Sequence, residues 1–81
     1  MASAVVQDLR SVVCSLVEQP EEVVVEEEDR GRSVLLKLTV APDELGRVIG
    51  RQGRTVRALR TLLEFREIED DVRYELKVLE P

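Results

Sequence analysis

Two glycines three positions apart, Gly50 and Gly53, frame Arg51-Gln52, and Arg47, Arg54, Arg57 and Arg60 crowd the same stretch. Glycine belongs where a chain turns through positive φ or where another backbone must approach its own. The residues from about Asp43 to Gly50 have the pattern of a short helix, and those from Gly53 to about Glu64 that of a longer one. A helix start leaves N–H groups without partners and carries the positive end of the helix dipole, so it attracts anions. Guanidinium groups add fixed charge in a geometry that suits phosphate oxygens. A glycine turn, a helix N-terminus and several arginines therefore converge on one place, and the guest this chemistry suits is a run of phosphates. In this reading Gly50 and Gly53 let a nucleic-acid backbone come close, and main-chain N–H groups near Arg51 to Arg54 donate to its phosphates. Arg51 and Arg54 charge the loop, Arg47 and Arg57 extend the basic rim, and Gln52 contacts a sugar or phosphate. Ile49 either braces an apolar groove for bases or belongs to the core.

Composition removes most other chemistries. The chain of 81 residues has no His and one Cys, Cys14, so it can build neither an internal disulfide nor a His/Cys metal site. No Ser, Asp or Glu stands in a nucleophile–base pattern, which argues against an enzyme. Glu26-Glu27-Glu28-Asp29 is a carboxylate run, but consecutive strand residues point to alternate faces and do not converge on a metal. The first seventeen residues carry Asp8 and Arg10 and lack a long apolar run. They read as neither a signal peptide nor a membrane span, and a reducing, cytoplasmic setting fits.

The net charge of −5 argues at first against nucleic acid, but its distribution does not. Residues 1–46 sum to −6, residues 47–66 to +5 and residues 67–81 to −4. The basic island coincides with the glycine turn, whereas the acidic remainder weakens unspecific attraction to duplexes. One Tyr, one Phe and no Trp leave few platforms for base stacking. Affinity for a single strand is then expected to be modest, and pairing of two chains would raise it by avidity.

The elements that must hold this turn follow from periodicity. Ser3 to about Glu18 reads as a helix with Ser3 as N-cap and Val5, Leu9, Val12, Val13 and Leu16 as its apolar stripe. Val23 to Glu28 and Ser33 to Val40 read as a hairpin around Gly31. In the second strand Val34, Leu36, Leu38 and Val40 share a face. Ala41-Pro42 stops that strand, with Asp43 as N-cap of the short helix. In the longer helix Val56, Leu59, Leu62 and Leu63 fall on one side. Phe65 to Asp71 reads as a connection, and Val72, Tyr74, Leu76 and Val78 alternate with charged residues as a last strand. Two helices intervene before that strand, so it should pair parallel to the second. The expectation is one α+β domain over residues 1–81, in the order α-β-β-α-α-β, with a three-stranded mixed sheet and three helices on one face. Its core must be built from Val, Leu and Ile.

Ile49-Gly50-Arg51-Gln52-Gly53, followed by Val56 and Leu59, resembles the signature of KH domains, I-G-x-x-G-x-x-[IV]-x-x-[IL]. Their GXXG loop clamps the backbone of about four nucleotides of single-stranded nucleic acid. The element order resembles the type II KH fold over nearly the whole chain. Val40 to Glu44 and Gly46 to Thr61 are similar to the KhpA family of short bacterial chains. That resemblance implies a cytoplasmic protein that binds single-stranded RNA, as an RNA chaperone or post-transcriptional regulator linked to cell-wall and cell-length control. It also implies a homodimer, or a heterodimer with a larger protein of the KhpB (Jag) family. The chain departs from the family at Phe65 to Asp71, where small residues and lysines are common. In type II KH folds this segment borders the nucleic-acid groove, so its four carboxylates should repel phosphate. The alternative reading is a protein-interaction module that keeps the KH fold and binds RNA weakly or not at all. A helix-turn-helix DNA binder fits less well, because strands flank the helix pair.

Overall fold

The computed structural model describes residues 4–80, so the Ser3 cap lies outside the described residues. The elements in order are helix α1 (Ala4–Leu16), strands β1 (Val24–Asp29) and β2 (Ser33–Thr39), helices α2 (Leu45–Ile49) and α3 (Arg54–Asp70), and strand β3 (Arg73–Val78). Short 3-10 turns at Pro20–Glu22, Pro42–Glu44 and Arg51–Gly53 link them. This is an α+β arrangement of the KH type, with a mixed sheet and helices on one of its faces, as the element order predicts.

The sheet order is β1-β2-β3. The β1–β2 hairpin is antiparallel, with Val24 opposite Thr39 and Asp29 opposite Val34. Its turn is tied by the Arg30 N–H donating to the Ser33 carbonyl (2.8 Å) and the Gly31 N–H donating to Asp29 Oδ1 (2.8 Å). β3 joins β2 in parallel, Ser33 opposite Arg73 and Leu38 opposite Val78. The crossover that makes this possible is the α2–α3 pair, which hangs the glycine turn between two neighbouring strands.

Alternation decides which sheet face is covered. Leu36 and Leu38 are fully buried, and Val25, Val34, Tyr74, Leu76 and Val78 pack around them. The helices close this face with Val5, Val6, Leu9, Val13, Val48, Leu59 and Leu63. The opposite face is charged. Arg30 reaches Glu28 (2.7 Å) and Glu75 (3.9 Å), Lys37 reaches Glu28 (3.2 Å), and Leu35 lies nearly covered on the same face. The hydrogen bonds from Arg30 and Lys37 hold the Glu28 carboxyl below its usual range.

Three local expectations need correction. In α1 the buried stripe is Val5, Val6, Leu9 and Val13, whereas Val12 and Leu16 are 38% and 37% exposed. The sheet is met by a stripe that includes Val6, and Val12 and Leu16 at the stripe's other edge line a cleft against α3. Asp43 caps no helix. Its carboxylate accepts from the Gln19 side chain (3.2 Å), and Glu44 is the buried carboxylate at 4% exposure. The Glu18 and Gln19 N–H groups, freed by the end of α1, donate to Glu44 Oε1 and to Oε2 (3.2 Å). A carboxylate buried among N–H donors is stabilised by them, and here it locks the end of α1 to the start of α2. Lastly, Phe65 to Asp70 is no connection but the last turns of α3. The run Glu64 to Asp70 holds no glycine, proline or β-branched residue except Ile68, and good helix formers continue a helix once it is started. Only Asp71, at φ 52°, and Val72 remain to reverse the chain.

Candidate nucleic-acid interface

The loop Gly50-Arg51-Gln52-Gly53 turns through three residues of positive φ: Gly50 at 77°, Gln52 at 58° and Gly53 at 73°. The two glycines are there for different reasons. A Cβ on Gly50 would stand 2.4 Å from Thr55 Oγ1 and 2.8 Å from Thr55 N, inside the first turn of α3. One on Gly53 would meet nothing nearer than Val56 Cγ1 at 3.8 Å. Gly50 is therefore demanded by packing and by φ, Gly53 by φ alone.

The turn uses some of its own donors. The Gly50 N–H donates to the Gly46 carbonyl (2.8 Å), the Gly53 N–H to the Gly50 carbonyl (3.1 Å) and the Arg54 N–H to the Arg51 carbonyl. Of the main-chain donors expected between Arg51 and Arg54, those of Gly53 and Arg54 are thus taken. The Arg51 and Gln52 N–H groups are the ones no loop carbonyl claims.

The arginines divide in the same way. Arg57 bends back over the loop: its Nη2 donates to the Gln52 carbonyl (2.5 Å) and its Nε to the Gly53 carbonyl (3.4 Å). It is a brace of the turn as much as part of a basic rim. Arg47, on α2, lies 3.6 Å from Glu18 on the neighbouring turn, so part of its charge is answered within the chain. Arg51 and Arg54 are exposed, and among the described residues neither forms an ion pair. Ile49 is half-buried and stands outside the core cluster, whereas its neighbour Val48 is fully buried.

A groove of about 360 Å³ runs between α3 and the outer edge of β3, lined by Arg60, Leu63, Glu64 and Glu67 on the helix and by Tyr74 and Leu76 among the strand residues. Arg60, Leu63 and Glu67 share one face of α3, so this wall lies on the helix that begins just after the glycine turn. Its helix wall changes sign along its length, from Arg60 to Glu64 and Glu67, while Arg73 and Glu75 of β3 also line it. At the far end α3 is fastened to β3 by polar bonds. Glu67 Oε2 accepts the Tyr74 N–H (2.8 Å), and Asp70 Oδ2 accepts the Tyr74 hydroxyl (2.6 Å). Arg66 bridges Asp70 (3.2 Å) and Asp8 of α1 (3.8 Å). Burial, reinforced by the bond to the Asp70 carboxylate, pushes the Tyr74 hydroxyl up to about 12.

Two of the four carboxylates expected to face phosphate are thus engaged by Tyr74, Asp70 by its hydroxyl and Glu67 by its N–H, and Glu67 still lines the groove. The sequence reading also missed the groove wall formed by Arg60, Leu63, Tyr74 and Leu76. The signal was present: Arg60 lies one helical face on from Gly53, and Tyr74 and Leu76 alternate on an edge strand. Among the described residues no group of three or more His, Cys, Asp or Glu side chains is gathered to hold a metal, and no helix is long and apolar enough to cross a membrane.

Residues 6–78 match the model of the family described as KhpA/KhpB, KH domain. Curated relatives bear the name RNA-binding protein KhpA. That of Listeria monocytogenes serovar 1/2a is 40% identical over 70 residues, covering 86% of this chain and 92% of the relative. That of Chlamydia trachomatis serovar D is 39% identical over 72 residues, covering 89% and 92%. The Clostridium acetobutylicum protein is 37% identical over 73 residues, covering 90% and 97%.

Proposed function

The chain belongs to the KhpA/KhpB family of KH domains, and on that premise we propose that it binds single-stranded RNA as a non-enzymatic protein of the cytoplasm. The strand's backbone is gripped at Gly50-Arg51-Gln52-Gly53 and its bases lie along the groove between α3 and β3. The observation that carries this is a positive-φ turn with two exposed arginines, Arg51 and Arg54, at the start of the helix whose later turns line a groove with apolar Leu63 and Leu76 in its walls.

Each residue has a part. Gly50 and Gly53 form the turn, and the Arg51 and Gln52 N–H groups donate to phosphate oxygens. Arg51 and Arg54 supply the charge. Arg57 holds the turn's carbonyls, Arg47 adds a partly neutralised charge at the rim, and Ile49 braces the groove entrance. A protein that grips backbone and lacks stacking aromatics suits many RNAs weakly. That favours work as an RNA chaperone or post-transcriptional regulator, with cell-wall and cell-length control as its downstream effect.

The test is fluorescence anisotropy with short single-stranded RNA over a salt series, comparing the wild type with the double variant Arg51→Asp, Gln52→Asp. The variant is expected to stay folded by circular dichroism and to lose salt-sensitive binding. If two or so phosphates are neutralised, the slope of log K against log salt in the wild type is about −1.4. Equal binding by the two proteins would remove the loop from the site. No binding by the wild type at high concentration would end the RNA reading for the isolated chain.

A second reading has its own support. Val12, Leu16, Ala58, Leu59 and Leu62 line an apolar cleft between α1 and α3, and Phe65 and Ile68 are 67% and 81% exposed on the next turns of α3. Such a face suits pairing with a second copy or with a larger KhpB (Jag) family protein.

A further inference from the structure

We infer that Glu67 sets the length of RNA this chain can hold, by closing the far end of the groove; the inference rests on the RNA reading of the same groove. The Leu79 N–H donates to the Leu38 carbonyl of β2 (2.8 Å). Main-chain N–H groups alternate in direction along a strand, so those of Lys77 and Glu75 also point into the sheet. The N–H groups of Val78, Leu76 and Tyr74 then form the outer edge, along which Tyr74 and Leu76 line the groove. They are the donors that a base could use on that wall.

β3 follows α3 through a reversal of only two residues. Tyr74 therefore sits at the end of the groove farthest from Gly53, and Val78 at the end nearest it. Of the three outward donors, that of Tyr74 is occupied, since Glu67 Oε2 accepts it at 2.8 Å. The same carboxylate lines the groove beside Glu64. A base arriving there finds its donor engaged, although Arg73 on the same wall offers a charge of the opposite sign to Glu64 and Glu67. A strand bound from the glycine turn consequently stops short of Tyr74, and added nucleotides hang free. A helix that ended near Glu64, as the sequence suggests, would place no carboxylate on this donor. The limit is a product of the extra turns of α3.

The experiment titrates nested single strands, from about two to about eight nucleotides, into the wild-type chain, Glu67→Ala and Glu67→Gln, by anisotropy, with folding checked by thermal melts. For the wild type, affinity is expected to rise with length and then level off. Glu67→Ala frees the donor and should move the plateau to a longer strand, tightening the longest strands by roughly 3- to 10-fold and leaving the shortest unchanged. Glu67→Gln retains an acceptor for the Tyr74 N–H and should keep the wild-type plateau. In 15N-labelled wild type the Tyr74 amide resonance should stay in place as RNA is added, and in Glu67→Ala it should shift.

A plateau at the same length in wild type and Glu67→Ala overturns the inference and leaves the RNA reading intact. So does a Tyr74 amide that shifts with RNA in the wild type. An equal extension in Glu67→Gln would assign the limit to charge alone and overturn closure by the hydrogen bond. Absence of binding at every length in all three proteins overturns the RNA reading and the inference with it.

Discussion

At the scale of single residues, two glycines that look equivalent in the sequence are not. The pair was legible from spacing alone, and so was the convergence of arginines on it. What spacing could not reveal is that Gly50 lies against Thr55, because that contact is made between residues five apart across a turn whose path the sequence does not state. Gly50→Ala should cost about 2 kcal/mol or more, since the new Cβ meets backbone as well as side chain. Gly53→Ala should cost about 1 kcal/mol, the penalty of left-handed φ without a clash. Thermal melts should separate them, each kcal/mol shifting the midpoint by about 4–8 °C in a chain of this size. Equal losses would mean that the contact with Thr55 relaxes freely. Arg57 was likewise legible as a charge and illegible as a brace. Its partners are carbonyls of residues 52 and 53, and side chains that bond main chain leave no mark in composition.

At the scale of elements, the strands, their pairing and the first part of α3 follow from apolar periodicity. The final turns of α3 do not, for a physical reason. Their inward positions are Arg66, Glu67 and Asp70, which bind Asp8 and Tyr74 instead of burying apolar surface. A helix anchored by polar bonds shows no apolar stripe, and four carboxylates in seven residues look like a solvated loop. The anchor makes a prediction about pH. The Tyr74 hydroxyl is raised to about 12 in the folded chain, against about 10 unfolded. Between those values the unfolded chain has released the proton and the folded chain has not. The stability this group contributes is therefore complete below about pH 10 and falls as pH rises towards 12. Denaturant melts at about pH 8 and about pH 11 should show that loss in the wild type, and it should vanish in Tyr74→Phe. A tyrosine absorbance titration with its midpoint near 10 would contradict the bond to Asp70.

At the scale of the whole molecule, charge and apolar surface are segregated. The covered face of the sheet carries the helices, the other carries paired ions over Leu35, and the basic island sits at one end of α3. Among the polar residues on the outer side of α1 and α3, the apolar Val12, Leu16, Phe65 and Ile68 are in view of solvent. If that face pairs with a second copy, the mean mass by light scattering or sedimentation should rise with protein concentration in the wild type. Phe65→Asp combined with Ile68→Asp should hold the chain monomeric without lowering its melting temperature, because neither side chain is packed in the core cluster. A wild-type mass independent of concentration would count against self-pairing through this face.

The parallel pairing of β2 with β3 has a consequence for the timing of synthesis. A ribosome makes β2, the glycine turn and α3 before it makes β3, yet the groove has no second wall until β3 inserts beside β2. The Arg51-Gln52 turn emerges as a complete local sequence on a site that is still half built. If the groove holds RNA bases as proposed, a nascent chain exposes the turn before it has the second wall, and groove-dependent capture begins only once β3 has been translated and docked.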